Sequence, residues 1–458
     1  MIKNETLWQG IIDFQIDAPF GNYCFSVRLA NENNWTLNFT QLAILEYKKF
    51  MYLAATSGEM VSPSEVLDVV WHQHLIFSDS YAQLCKILGK DIKHIPSTHI
   101  KGQKEQFDHA RKRTRELYEM EFGRQPNAIW KYDDMFEPLG LTLSSMSLST
   151  LSVIAVAIIL VLMYPFALLM KPVYLVLGNP QFLIGYIALL ALAFLLLWYH
   201  TREEVESRIS ECKDDNFVNN LSPLELVYAK EEQTMDVVHV ITDVCLRKGV
   251  LVADRDTIDL GEYAPSNVME TTVYEEVKSY EPMIYSSLAN LLVLQPNITA
   301  VGKVMNYFKK YFNRSKFFLR VFSVNLAVLG FLLLFGIGRL IIGLQNGKPV
   351  FFLFYVILLT NIIAIIYLKR IQSIILRKAV VNLYKQPERN TRENDLWDYV
   401  LTGIPACSLV IRVTAKRMKS RKWTRKGGGY WGAGCGSCGS SGCGGGGCGG
   451  GCGGCGGD

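Results

Sequence analysis

The stretch LSVIAVAIILVLMYPFALLMKPVYLVLGNPQFLIGYIALLALAFLLLWY, residues 151–199, decides the fold. From residue 138 to 170 there are 33 consecutive positions without Asp, Glu, Lys or Arg. Lys171 and Pro172 interrupt this run, and 30 uncharged positions then extend to Thr201. One helix needs only about 20 apolar residues to cross a bilayer, so the stretch holds two crossings, turning at Gly178, Asn179 and Pro180. Further along lie 18 uncharged positions from Val321 to Gly338 and 20 from Pro349 to Leu368, with Gln345, Asn346, Gly347 and Lys348 between them. Buried helices of soluble proteins rarely sustain such runs without an ionisable side chain. The spacing predicts four transmembrane helices in two hairpins.

Composition agrees with that reading. Half of the 458 residues are hydrophobic and 19% are charged, low for a soluble chain of this length. Lys and Arg exceed Asp and Glu by 47 to 42, too small an excess for a dedicated nucleic-acid binder. The expected partners are the lipid bilayer and other proteins, with no nucleic acid. Cations are retained on the cytoplasmic side of a membrane. Here the hairpin tips carry only Lys171, Arg339 and Lys348, whereas Arg202, Arg208, Lys309, Lys310 and Lys369 flank the other ends. The N- and C-termini and the central link are therefore expected in the cytoplasm, in a multi-pass protein of the cell membrane. MIKNETLWQGIIDF at the start has no long apolar core, so no signal peptide is expected.

These boundaries divide the chain into a helical His-rich domain (1–147), a first hairpin (148–199), a central link (200–318), a second hairpin (319–368), a basic segment (369–426) and a Gly/Cys tail (427–458). The overall class is mainly α. In the first domain, alternation over Tyr23 to Leu29 predicts a short extended segment, and Phe39 to Leu53 has apolar residues at helical spacing. Ser62, Pro63, Ser64 and Glu65 read as a capping box for the next helix, and a basic helix is expected over Lys104 to Phe122. In the link, Ser222, Pro223 and Glu225 cap a short helix, a longer one runs through Val237, Val240, Ile241 and Val244, and two β-rich runs flank Asp254 to Asp256. That order predicts a small winged-helix-like unit.

Five of the seven histidines lie between residues 72 and 109: His72, His74, His94, His99 and His109. Neutral imidazole is a common ligand for zinc and other transition metals, which makes His72, His74 and His94, with Cys85, a candidate metal set. On one helix His72 and His74 point about 200 degrees apart, so both reach one ion only if the helix ends between them. Asp68 and His72 are four apart and share a face, which suits a carboxylate in the second shell orienting an imidazole. In the tail, 19 of 32 residues are Gly, and Cys435, Cys438, Cys443, Cys448, Cys452 and Cys455 include two Cys-x-x-Cys pairs with 13 residues between them. The spacing resembles a zinc ribbon, but the tail lacks apolar residues to pack around an ion, so a disordered tether competes with soft-metal or redox binding. Lys303 to Arg320 interleaves cations with Tyr and Phe before the third span, a pattern that anchors a helix among lipid headgroups.

Over Phe25 to Trp130 the elements EYKKF (46–50), PSEVLDVVWHQH (63–74), Tyr81, Cys85, Gly89, HIP (94–96) and LYEMEFGRQPNAIW (117–130) resemble the glycine-rich domain-containing protein-like family. The resemblance implies that Asp68, Trp71, His72, His74, Tyr81, Cys85, His94 and Pro96 are signature positions, and it implies no reaction. Ile92-Lys93-His94 departs from the paired His that relatives often show. LSPLELVYAK (221–230) and LRKGVL (246–251), with the flanking spans and the tail, are similar to a family of bacterial membrane proteins without an assigned activity. Relatives usually carry Gly-Gly where this chain has Glu231 and Glu232.

Two functions follow as expectations. One is a membrane-anchored interaction or scaffold module facing the cytoplasm. The other is a metal-dependent enzyme, or a metal- or thiol-binding protein, built on the His-rich domain.

Overall fold

The computed structural model describes residues 3–18, 21, 23–95, 101–212, 216–280, 282–384, 396–403 and 406–427. The tail with its six cysteines lies outside the described residues, as do Pro96 and His99. The chain divides into two units, 1–415 and 416–458, the second described only over the helical residues 416–427.

The first unit opens with α1 (Glu5–Asp13), α2 (Phe25–Asn33), α3 (Leu37–Thr56), α4 (Glu65–Ile76), α5 (Ser78–Leu88), α6 (Lys101–Phe122) and α7 (Asn127–Trp130). The extended segment expected over Tyr23 to Leu29 is instead the first half of α2. Phe25, Leu29 and Ala30 are buried, and Asn34 closes the helix in the left-handed conformation. A seven-residue alternation fits either period, and packing against neighbouring helices decides it. The cap of α4 is Ser64, which accepts from the Leu67 amide, and not Ser62, whose amide donates to Thr114 Oγ1 at 2.9 Å. Buried Glu46 ties α3, α6 and α7 together by accepting from Lys49 Nζ (2.7 Å), the Tyr118 hydroxyl (2.8 Å) and Trp130 Nε1 (2.8 Å). Every partner is charged or polar, so the buried carboxylate is satisfied.

Next come α8 (Leu148–Val176) and α9 (Asn179–Ser210), then the link with α10 (Pro223–Glu231), α11 (Thr234–Arg247), β1 (Leu251–Asp254), β2 (Thr257–Leu260), α12 (Val268–Ser279), β3 (Met283–Ile284), α13 (Tyr285–Leu292) and α14 (Pro296–Asn313). The chain continues through α15 (Lys316–Gln345), α16 (Phe351–Ile371), a π-helical segment (Ile375–Val380), α17 (Val381–Tyr384), α18 (Leu396–Thr402) and α19 (Leu409–Gly427). Among the described residues α8, α9, α15 and α16 are the four helices long and apolar enough to span a membrane, and with the helical remainder they make a mainly α integral membrane protein. The β1–β2 hairpin turns at Arg255 and Asp256, and β3 joins β2 antiparallel. The third strand thus follows a later helix, α12, instead of standing among the first helices as in a winged helix.

Lys171 and Pro172 do not end α8, which runs through them to Val176. The turn falls at Gly178 to Pro180, as expected, and Arg339 braces it. Arg339 is not at a hairpin tip but is buried inside α15 at 3% exposure. Its guanidinium donates to the Tyr174 and Leu177 carbonyls and to Asn179 Oδ1 and lies 5.2 Å from the Phe182 ring. The last carbonyls of a helix lack partners within it, and here a cation from another span supplies them. At the opposite end of the bundle, an antiparallel bridge between Leu143 and Ser315 sets the starts of α8 and α15 side by side. Ser147 and Ser315 then cap the two helices.

The soluble stretches close into one body. Glu225 accepts from the Leu37 amide at 2.8 Å, Asn38 donates to the Asn220 carbonyl at 2.8 Å, and Lys303 donates to the Asn31 carbonyl at 2.8 Å. Beyond the last span, Asn382 donates to Glu206 at 2.8 Å, and the Tyr384 hydroxyl bonds both the Val218 carbonyl and the Leu221 amide.

Candidate metal centre

The first two turns of α4 carry Asp68 and His72, one helical turn apart on the exposed side, while Val66, Leu67 and Val70 are buried. The segment after α5 brings His94 against them. His94 Nε2 lies 2.9 Å from Asp68 Oδ1, His72 Nδ1 lies 3.3 Å from Asp68 Oδ2, and the two imidazole centroids are 4.4 Å apart. The three ligand atoms all fall within 4.8 Å of one another. Tetrahedral zinc with bonds of about 2.0–2.1 Å separates its ligand atoms by roughly 3.3 Å, so small side-chain movements fit this set to an ion. A donor set of two imidazoles and one carboxylate suits zinc, iron or other first-row divalent ions.

What positions His94 is a short relay. Trp71 packs edge-on against the His94 ring at 4.7 Å, its Nε1 donates to the Tyr81 hydroxyl at 3.2 Å, and that hydroxyl donates to the Ile92 carbonyl. Helix α5 thereby pins the loop that presents His94. Around the trio lies a cleft of about 680 Å³, with Phe50, Trp71, Ile92 and Phe107 among its apolar walls and Lys90 and Arg111 among its polar ones. Side-chain exposure runs from 16% for His94 to 56% for His72, so the centre is open to solvent on one side.

His74 does not belong to this set. It is fully buried on the opposite side of α4, with Nδ1 2.9 Å from the Tyr47 hydroxyl and Nε2 3.0 Å from Ser80 Oγ. Both ring nitrogens are taken, and burial lowers its pKa to about 4. Cys85 also stays apart, on α5, where it interacts with Tyr81. Asp68, expected in the second shell, instead stands between both imidazoles with one oxygen toward each. Cys245 and Cys407 are buried free thiols that burial pushes up to about 12, so neither ionises near neutrality. Tyr47, the partner of His74, left no signal in the sequence, because one Tyr in an apolar helical stripe looks like any other.

Comparisons of this chain with protein-family models, with curated proteins and with solved structures find no match.

Proposed function

We propose that this integral membrane protein is a membrane-anchored binding module whose cytoplasmic body holds a divalent transition-metal ion on Asp68, His72 and His94. The observation that carries the reading is the convergence of one carboxylate and two imidazoles from separate segments at the wall of an open cleft. A bound ion there would polarise an oxygen of whatever ligand enters the cleft. Placement in the cytoplasm rests on the cation excess flanking the inner ends of the spans. The scaffold expectation is kept as the anchoring half of this reading, because the soluble stretches unite into one body beside the bundle.

Cobalt(II) titration of the full chain in detergent micelles tests it, with the visible absorption band of bound cobalt as readout. The site's signal is the difference between wild type and His72→Ala, which cancels any cobalt held by the tail thiols. One equivalent of cobalt is expected, weakened more than about tenfold in His94→Ala and unchanged in Cys85→Ser. A wild-type spectrum identical to that of His72→Ala overturns the metal reading and leaves a metal-free scaffold.

A further inference from the structure

A second cavity flanks the metal cleft. It has a volume of about 710 Å³ and shares with the first residues 62–65 and Arg111 as a common wall. Its charge is uneven: Arg111, Lys112, Arg115, Arg124 and Lys131 face Glu65, Glu119 and Asp133. Arg111 pairs with Glu65 at 3.3 Å and Arg115 with Glu119 at 3.0 Å. Among the described residues Arg124 and Lys131 have no ion-pair partner and both are exposed, Lys131 with its ammonium 5.3 Å over the Tyr132 ring. The first cavity has the opposite balance, with Lys90, Lys93 and Arg111 against Glu59, Glu65, Asp68 and Asp91. A divalent ion on Asp68 would turn that end from one negative charge in excess to one positive. Over both cavities seven cations then stand against six carboxylates, and the divalent ion raises the net excess from one positive charge to three.

We propose that the metal-loaded cleft binds a molecule bearing two or more linked phosphates, held at one end by the metal ion and along its length by Arg111, Arg124 and Lys131. This rests on the metal reading above. Guanidinium forks match phosphate oxygens in pairs, an ammonium adds a point charge, and a metal ion takes a terminal oxygen. Each cavity alone falls in the range of about 300–1,000 Å³ of small-molecule sites and exceeds what a single phosphate fills. Two sources share this chemistry, a nucleoside triphosphate and inorganic polyphosphate.

Equilibrium dialysis of inorganic triphosphate and of ATP against the full chain in micelles, with and without cobalt, tests the proposal. Both are expected to bind at least about tenfold more tightly with cobalt present, and the Arg124→Ala/Lys131→Ala double variant is expected to lose about tenfold while keeping the cobalt band. His72→Ala in the same cobalt solution measures chelation away from the site. ATP binding more tightly than triphosphate identifies the nucleotide as the source, and equal binding identifies the phosphate chain. An intact cobalt band with triphosphate binding indifferent to Arg124 and Lys131, or no tighter than orthophosphate, overturns this proposal alone. Absence of the band in wild type overturns the metal centre beneath it.

Discussion

His74 shows how one buried ring couples stability to pH. Its pKa falls from 6.5 to about 4 because burial disfavours the charged imidazolium. Between those values the unfolded chain binds the proton and the folded chain does not. Stability from this group is therefore fully present above about pH 6.5, falls as pH drops, and is lost by about pH 4, up to about 3 kcal/mol. Thermal unfolding of the full chain across that window should show the slope, and His74→Gln should flatten it. A slope unchanged in that variant would mean that other groups carry it. The same residue marks where the sequence could be read and where it could not. Asp68 and His72 were legible as a pair because one helical turn puts them on one face. His94 was named with them, but how the Trp71–Tyr81–Ile92 relay holds it, and that Tyr47 withdraws His74, only the tertiary fold shows. Glu232 gives a parallel case. It closes α10 with φ at 54°, a conformation that favours Gly. Here Lys309 at 3.1 Å, Ser373 at 3.1 Å and Arg377 at 3.5 Å hold the carboxylate, joining α10 to α14 and to the segment beyond the last span.

At the scale of elements, α15 is the helix on which the bundle is assembled. The Tyr186 hydroxyl donates to the Leu332 carbonyl at 3.0 Å and the Tyr174 hydroxyl to the Phe335 carbonyl at 2.8 Å. Both need α15 to lack side chains where the hydroxyls approach. A Cβ on Gly336 would stand 2.5 Å from Tyr186 Oη, and one on Gly338 would stand 2.8 Å from Tyr174 Oη. Displacing a hydroxyl from its acceptor inside lipid leaves it without water to bond. Gly336→Ala is expected to destabilise by about 1–3 kcal/mol, Tyr186→Phe by about 0.6 kcal/mol, and the double variant by less than the sum of the two. Unfolding of the three variants in micelles measures this, and strict additivity would show that the hydroxyl is not what Gly336 accommodates. The spans themselves were legible because charge-free runs of 18 to 33 positions have one economical home. The start of α8 and its turn at Gly178 to Pro180 were legible too, whereas what holds the turn and how far α9 runs depend on partners distant in sequence. Arg339 braces the turn after α8, and α9 continues to Ser210 because Thr201, Val205 and Ile209 are buried within the soluble body.

For the whole molecule, the consequence is sidedness. Helices α8 and α15 enter the bundle side by side through the Leu143–Ser315 bridge, so each hairpin leaves from and returns to the same end. Residues 31, 37 and 38 bond residues 303, 225 and 220, while Asn382 bonds Glu206, so pieces lying before, between and after the hairpins share one end of the bundle. Packing alone makes the ends of the bundle unequal, and the proposed orientation, argued from the cations flanking the spans, puts the crowded end in the cytoplasm. A membrane-impermeant maleimide applied to intact cells tests both steps. Among the described residues Cys85 and Cys212 are the partly exposed thiols of the soluble body, and with them and the six tail thiols on the proposed cytoplasmic side the wild-type chain is expected to stay unlabelled until the cells are broken. Asn346→Cys, at the exposed turn between α15 and α16, should gain label in intact cells. Label on the wild-type chain before lysis, with none gained at residue 346, would reverse the orientation while leaving the packing intact. It would also place the proposed metal site on the opposite side of the membrane.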